Sequence, residues 1–452
     1  MKIRYVALRS TQAHEKRGGI SLTPELLAAT GARYSRNNEG LDQIVSKIDW
    51  NNVDKSVDGI FRMVDYGHAS IADMAPVAMF IDGVSLFAAY YLWAQSPTGS
   101  GQESSTRYIK YSSEGIANPQ SLGIKNKKAY LAHAKKTFDL YEKAAQMWTN
   151  LANNDSKLLN LPREVLEDTS EKGVKRLQRM VRNFAFDRAR VFLPACALTN
   201  LMLTLSARNW VELISLLLSV PYPELNSIGE KLKEELEYAT PRLIKHAAYK
   251  QETHDVFMQS FEALKKSKVS SGDDDGAYLR LYEDKYLNLK KDLKNRKNRY
   301  SLCGDTVRML PVTFGWKRIA FAELRDLNRH RTGNKLSLFK PNGFHTVVDQ
   351  APDAKSKKTL TLLSRYAFKL VSQMHKKIYK GDFTYVYDYL LGHTMPFEHV
   401  TTLEKYIYEA ELRTGIGAHY RYAAHMKNTL KILYKLHPEL KGVIFEGSAE
   451  PE

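Results

Sequence analysis

Apolar side chains recur every three or four residues at Tyr130, Ala134, Phe138, Tyr141, Ala145 and Trp148, with lysines between them, and this period predicts a long amphipathic helix over Lys125 to Asn150. The same period predicts helices from Glu171 to about Val191 and from Ala207 to Leu218. Pro221-Tyr222-Pro223 ends the latter before a charged helix that starts near Ser227. Short apolar runs predict strands at Ile3 to Ala7, Ala75 to Ile81 and Val312 to Arg318. The last of these runs into a helix at Ala320 to Asn328, and Thr401 to Leu412 reads as a further helix. Many helices with few strands indicate an α+β fold.

One stretch of this pattern occurs twice. Laying Phe80 to Gly99 over Phe314 to Gly333 gives identities at Phe80/Phe314, Phe87/Phe321, Ala88/Ala322, Thr98/Thr332 and Gly99/Gly333. Five matches in twenty exceed the roughly one expected by chance, and a single long-spaced repeat suggests a duplicated domain, not a solenoid. The expected domains are 1–247 and 248–452, each a small, mainly antiparallel sheet packed with long helices. The low-complexity stretch Lys265 to Gly276 is the expected linker region, as a long surface loop or disordered segment.

Length and composition fit that picture: 452 residues at 43% hydrophobic content can bury two ordinary cores. No apolar run is long enough to span a membrane, and Met1-Lys2-Ile3-Arg4-Tyr5 lacks a signal-peptide core, so a soluble cytoplasmic protein is expected. Cys196 and Cys303 form no CxxC pair and no Cys/His cluster, which supports neither a disulfide framework nor a zinc site; buried thiols are expected. The net charge of +17 and pI near 9.4 point to anionic partners such as nucleotides, polyglutamylated cofactors or nucleic acid. The basic run Lys290 to Arg299 reads as a solvated helix face in preference to a nucleic-acid patch.

Four groups of residues can carry chemistry. Gln102, Glu103, Ser105, Thr106 and Arg107 follow a Pro/Gly/Ser-rich segment and form a loop whose N–H groups, hydroxyls and guanidinium suit a nucleotide phosphate. An ordinary polar loop with Arg107 in a surface ion pair is the competing reading. Arg329-His330-Arg331 follows a predicted helix, where it can either cap the helix or clamp a planar anionic ligand such as a flavin or a pyrimidine. His68 and Ser70 are placed on a loop at a strand mouth, where ligands commonly bind, although a lone His is more often structural. Arg190 and Arg413 adjoin apolar helices and require a carboxylate or phosphate partner, which an internal salt bridge would also provide.

Taken in order, these pieces resemble the flavin-dependent thymidylate synthases. Ala32-Arg33-Tyr34-Ser35, Gly67-His68-Ala69-Ser70, Glu103-Ser104-Ser105-Thr106-Arg107-Tyr108 and Ala189-Arg190-Val191-Phe192-Leu193-Pro194 match that family's motifs in sequence order. Its RHR motif is replaced in the first half by Gln95-Ser96-Pro97 and found in the second half as Arg329-His330-Arg331, with Ser337 downstream. There, however, Phe339-Lys340-Pro341 stands where the nucleotide loop should carry SxR. Leu412-Arg413 resembles the family's terminal LR, whose first-half equivalent is Leu216-Leu217.

The resemblance implies reductive methylation of dUMP to dTMP, with FAD as cofactor and methylenetetrahydrofolate and NADPH as co-substrates. It implies that Gln102, Glu103, Ser105, Thr106, Arg107, Arg190 and Arg329 hold the nucleotide and that Arg413 and Arg331 are catalytic. His68, Ser70, Arg208, Arg329, His330 and Arg331 would contact FAD. The flavin-contacting Asn-x-Arg of the family reads Ser206-Ala207-Arg208 in the first half and Thr402-Leu403-Glu404 in the second, and His68 is followed by Ala72-Asp73-Met74 where the family has a Glu-His pair. The halves thus keep complementary parts, and a homodimer of such chains, a pseudo-tetramer, would replace the family's tetramer. Two other functions remain open: modification of a different pyrimidine, free or in nucleic acid, and a catalytically silent nucleotide-binding scaffold.

Overall fold

The computed structural model describes all residues except 37, 66–68, 97, 270–274, 283–287, 416 and 449–452. It is an α+β structure with two antiparallel sheets, each packed with helices. The sheets belong to two compact units that interleave along the chain. The first contains Met1–Ser104, Ala117–Lys127 and Leu198–Glu262; the second contains Ser105–Ile116, Lys128–Ala197 and Ala263–Glu452.

In the first unit β1 (Lys2–Val6), β2 (Pro76–Ser85), β3 (Ser100–Glu103) and β4 (Leu198–Ser206) line up in the order β1-β2-β4-β3. Val77, Met79 and Ile81 alternate into the core while Phe80 stays 44% exposed, as the two-residue period of a half-covered sheet requires. The helix Ala207–Ser219 follows β4 and is capped by Ser206, whose hydroxyl accepts from the Asn209 N–H. Its Trp210 donates to the Val77 carbonyl at 3.0 Å, which ties the helix to the sheet. The next helix is Pro223–Ala239, four residues ahead of the expected start at Ser227, because the locked φ of proline suits the first helical position.

The second unit repeats the strand order with β5 (Ala277–Leu281), β6 (Pro311–Ala320), β7 (Asn334–Ser337), β8 (Gly343–Phe344) and β9 (His393–Thr402). The sheet runs β5-β6-β9-β7, with β8 also on β9. Thr401 and Thr402 finish β9, so the helix expected from Thr401 is Leu403–Thr414. The long helices Lys127–Asn154 and Ala354–Tyr379 pack on this unit, the former through the buried Tyr130, Ala134, Phe138, Tyr141 and Trp148. In the same unit Pro194 and Leu390 form an antiparallel bridge, flanked by bonds from Ala195 N to Tyr389 O at 2.7 Å and from Leu391 N to Leu193 O at 2.8 Å.

Four sequence expectations change in detail. Phe80 and Phe314 are identical but not equivalent: β2 and β6 share a bulge and nearly the same burial pattern when Pro76 is laid on Pro311, which is 235 residues apart (311 minus 76). The offset of 234 holds only beyond the following helices, where β3 matches β7. Ser100 to Glu103, expected as loop, form the edge strand β3. Gly101 permits this, since a Cβ there would lie 1.9 Å from the Met202 carbonyl oxygen. The basic run Lys290 to Arg299 is not a solvated helix face: the helix is only Leu289–Leu293, and Arg296 is buried with both terminal nitrogens on Glu411 at 2.9 and 2.6 Å. The expected linker lies partly in residues 270–274, outside the described residues, and Lys265 and Lys266 end the helix Gln251–Lys266. Cys196 and Cys303 are buried free thiols, as expected.

Candidate functional site

Ser105, Thr106 and Arg107 begin the second unit's share of the chain, and their partners there are set by three neighbouring elements. The Ser105 hydroxyl accepts from the Arg107 N–H at 3.2 Å, a tight turn that fixes the direction in which Arg107 leaves the backbone. Arg107 then forks onto Asp187, Nε to Oδ1 at 2.7 Å and Nη2 to Oδ2 at 3.0 Å, and donates to the Gly417 carbonyl at 3.2 Å. Asp187 belongs to the helix Glu171–Ala189, one turn before Arg190. Arg190, 1% exposed, donates to Thr106 Oγ1 at 3.4 Å and to Asp326 Oδ2 at 3.0 Å.

Two carboxylates and several guanidiniums therefore share one volume. Burial pushes the Asp326 carboxyl up, but Arg190, Arg329 and Arg107 outweigh it and hold the group far below the usual carboxylate range. Asp187 is held down in the same way, with Arg107 and Arg190 acting against the effect of burial. His419 reaches the Asp187 carbonyl through Nε2 at 3.3 Å, and burial drives it down to about 3, so it is neutral at physiological pH. Its Nδ1 is buried without a hydrogen-bond partner among the described residues, as are Arg190 Nε, Asn328 Nδ2 and Tyr422 Oη. Buried polar atoms left without partners in a native fold need an explanation, and polar ligand atoms would supply one.

Arg329, His330 and Arg331 leave the end of the helix Phe321–Leu327, where Arg329 N bonds to Asp326 O at 3.2 Å and His330 N to Leu327 O at 3.1 Å. Arg329 is exposed and His330 buried. Arg331 is half-buried, and burial and then the like charge of Arg329 lower it to about 10. His330 accepts from Arg413 Nε at 2.8 Å, while Arg413 lies over the Tyr422 ring at 5.1 Å. Lys335 donates to the His330 carbonyl. Next to this segment a cavity of about 550 Å³ is lined by Thr332, Gly333, Thr401, Thr402, Arg308 and Lys405 among others. Gly333, at φ +73°, is required where the chain passes β9: a Cβ would meet the Val400 carbonyl oxygen at 2.1 Å.

The remaining residues singled out from the sequence are placed as follows. Gln102 and Glu103 lie on β3 in the first unit, opposite Met202 and Leu201. Arg208 is also in the first unit, at the start of Ala207–Ser219, bonded to Asp73 at 3.2 Å and to Glu212 at 3.0 Å. Ser70 is exposed in the 3-10 helix Ala69–Met74, and His68 lies outside the described residues. Asp187, Asp326, His419 and Glu409 were missed by the sequence reading. A usable signal existed for two of them: Asp187 precedes Arg190 by three residues, and Glu409 precedes Arg413 by four, on shared helix faces.

After β7, at the chain position that corresponds to Ser105-Thr106-Arg107 after β3, stands Phe339-Lys340-Pro341. Lys340, 1% exposed, donates to the carbonyls of Leu264 at 3.1 Å, Lys265 at 2.9 Å and Ser267 at 2.7 Å, at the end of the helix Gln251–Lys266. Phe339 packs 4.5 Å from Tyr389 and 5.2 Å from Phe321, ring centre to ring centre.

Residues 20–242 match the family of the thymidylate synthase complementing protein. That stretch, just under half of the chain, is what it shares with this family. The thymidylate synthase complementing protein match contains Arg33, Arg107 and Arg190 but ends before Arg329 to Arg331 and Arg413. A relative over nearly the whole length is the UPF0159 protein Ta1429 of Thermoplasma acidophilum, 24% identical, covering 91% of this chain and 93% of the relative. Similar solved structures include a UMP/dUMP methylase from Streptomyces cacaoi bound with 5-Br dUMP, 15% identical, spanning 57% of this chain and 94% of that one, with a TM-score of 0.32. The flavin-dependent thymidylate synthase of Helicobacter pylori, complexed with FAD and dUMP, is 16% identical, spanning 50% of this chain and 96% of its own, also with a TM-score of 0.32.

Proposed function

We propose that this protein is a flavin-dependent thymidylate synthase-like enzyme that methylates dUMP to dTMP, with one composite site per chain. The family match over 20–242 supports the class. The observation that carries the site is the common counter-charge Asp326: Arg190 donates to it at 3.0 Å, and the charges of Arg329 and Arg107 also favour its ionised form. Asp187 and Asp326 orient Arg107 and Arg190 and lower the repulsion between them, so the pair can meet a phosphate without prior rearrangement. Thr106 and Ser105 add hydroxyls beside that phosphate. Arg413 faces the pyrimidine carbonyl and stabilises negative charge as it develops on the ring.

The chemistry that FAD supplies when bound is transfer of the one-carbon unit from methylenetetrahydrofolate to pyrimidine C5, with NADPH as reductant. The residues lining the 550 Å³ cavity fit part of such a group: the hydroxyls of Thr332, Thr401 and Thr402 and the cations Arg308 and Lys405 suit its polar edge and phosphates. Glu404, at the position of the family's flavin-contacting arginine, does not. This carboxylate favours a second reading, a nucleotide-binding protein that carries no flavin.

Flavin absorption of the purified protein separates the two readings, and product analysis with dUMP, methylenetetrahydrofolate and NADPH tests the first. Arg107→Ala and Arg331→Ala should each abolish dTMP formation. Because both groups of arginines act on one Asp326 within a single chain, mixing the two variants should restore nothing. Full activity in either variant contradicts the assignment.

A further inference from the structure

Glu409 is the least expected residue near the site: a carboxylate 1% exposed, on the apolar side of the helix Leu403–Thr414, four residues before Arg413. Positions four apart share a helix face, so Glu409 and Arg413 look out together. The side chain between them is His330. Arg413 donates its Nε–H to His330 Nε2 at 2.8 Å, so that nitrogen must carry a lone pair and the ring proton must sit on Nδ1. His330 Nδ1 is the nitrogen that faces Glu409, 3.9 Å from Oε2. A carboxylate opposite Nδ1 favours the tautomer that Arg413 needs.

We propose that Glu409 is a positioning residue that acts through His330 to hold the guanidinium of Arg413 in one plane. This rests on the reading of Arg413 as the pyrimidine contact. Two further contacts make the arrangement rigid. The Tyr422 ring lies beneath the Arg413 guanidinium, and His399, whose Nε2 donates to the Thr332 carbonyl at 2.7 Å on the cavity wall, packs its Nδ1 3.4 Å from Glu409 Oε2 without hydrogen bonding to it. The other charged groups facing the cluster are Lys335, which donates to the His330 carbonyl, and Arg331 beyond it. Burial opposes ionisation of Glu409, while the ammonium of Lys335 favours it.

The deciding measurement is the histidine ¹⁵N spectrum of the full chain at neutral pH. His330 should show a protonated Nδ1 and a bare Nε2, and Glu409→Gln should shift it toward the opposite tautomer. Titration with dUMP should then show affinity reduced about 10- to 100-fold by Glu409→Gln, with the double variant Glu409→Gln/Arg413→Ala no worse than Arg413→Ala alone. A wild-type His330 protonated on Nε2, or losses that simply add, would overturn the proposal. If Glu409→Gln does not fold, the wild-type spectrum and Glu409→Asp, which keeps the charge, still decide it. If Arg413→Ala binds dUMP like the wild type while the tautomer is as stated, it is the pyrimidine-contact reading that fails.

Discussion

Ser105-Thr106-Arg107 and Phe339-Lys340-Pro341 follow matched edge strands, and the same chain position does opposite work in the two. In the first, each side chain is held by a polar partner that leaves other donor or acceptor sites for a ligand: Arg107 by Asp187, Thr106 by Arg190. In the second, Phe339 enters an aromatic cluster and Lys340 gives its ammonium to three backbone carbonyls. A cation is present in both. What separates a candidate binding residue from a structural one is whether its charge is matched by a side-chain carboxylate, which can reorient and share it, or by the unpaired carbonyls of a helix end. The contrast therefore predicts one nucleotide per chain, and calorimetry that finds two would break the comparison.

The largest expected effect lies on the polar side. Arg190→Met leaves Asp326 partly buried beside a lost counter-charge, and removing one partner of such a pair costs about 3 to 5 kcal/mol. Chemical denaturation should show this as a reduced unfolding free energy. An unchanged midpoint would mean that Arg329 and Arg107 suffice for Asp326, and that Arg190 is held in reserve for ligand.

A smaller effect is expected on the closed side. Lys340→Met keeps the length of the buried stem but removes the donor from three carbonyls, at a cost of about 1 to 3 kcal/mol. Nucleotide affinity and turnover should not change. A variant that loses dUMP binding as well as stability would show that the second loop position still serves a site.

The sequence carried the periodic helices well, because burial alone sets their period: Lys127–Asn154, Glu171–Ala189 and Ala207–Ser219 lie close to their expected limits. It carried the motif residues but not what they touch. Asp326 is 136 residues from Arg190 and Asp187 is 80 from Arg107, separations at which no periodicity links one residue type to another. The run Lys290 to Arg299 misled for the same reason: a positively charged decapeptide looks solvated until Glu411, 115 residues away from Arg296, is found to face it. The Phe80/Phe314 identity misled differently. A one-residue slip in a strand exchanges the faces of the sheet, so Phe80 is 44% exposed while Phe314 is fully buried.

Acid sensitivity sharpens the comparison with the gentlest perturbation. Burial lowers His330 and His419 to about 3 from an ordinary value near 6.5, so the folded protein keeps both neutral while the unfolded chain takes up protons below pH 6.5. Stability must then fall as pH drops from about 6.5 toward 3, by about 1.4 kcal/mol per pH unit for each such histidine. Glu323 and Glu409, held down to about 2, contribute stability above their unfolded values that is lost only as pH falls below about 4.5, so the two classes separate on the pH axis. His419→Gln keeps a donor for the Asp187 carbonyl but cannot titrate, and unfolding curves between pH 6.5 and 5 should show the slope reduced by one histidine's share. Lys340→Met should lower the whole curve and leave that slope alone. If it is Lys340→Met that alters the slope, the Lys340 ammonium is coupled to the titrating histidines, and the division of labour between the two loop positions is wrong.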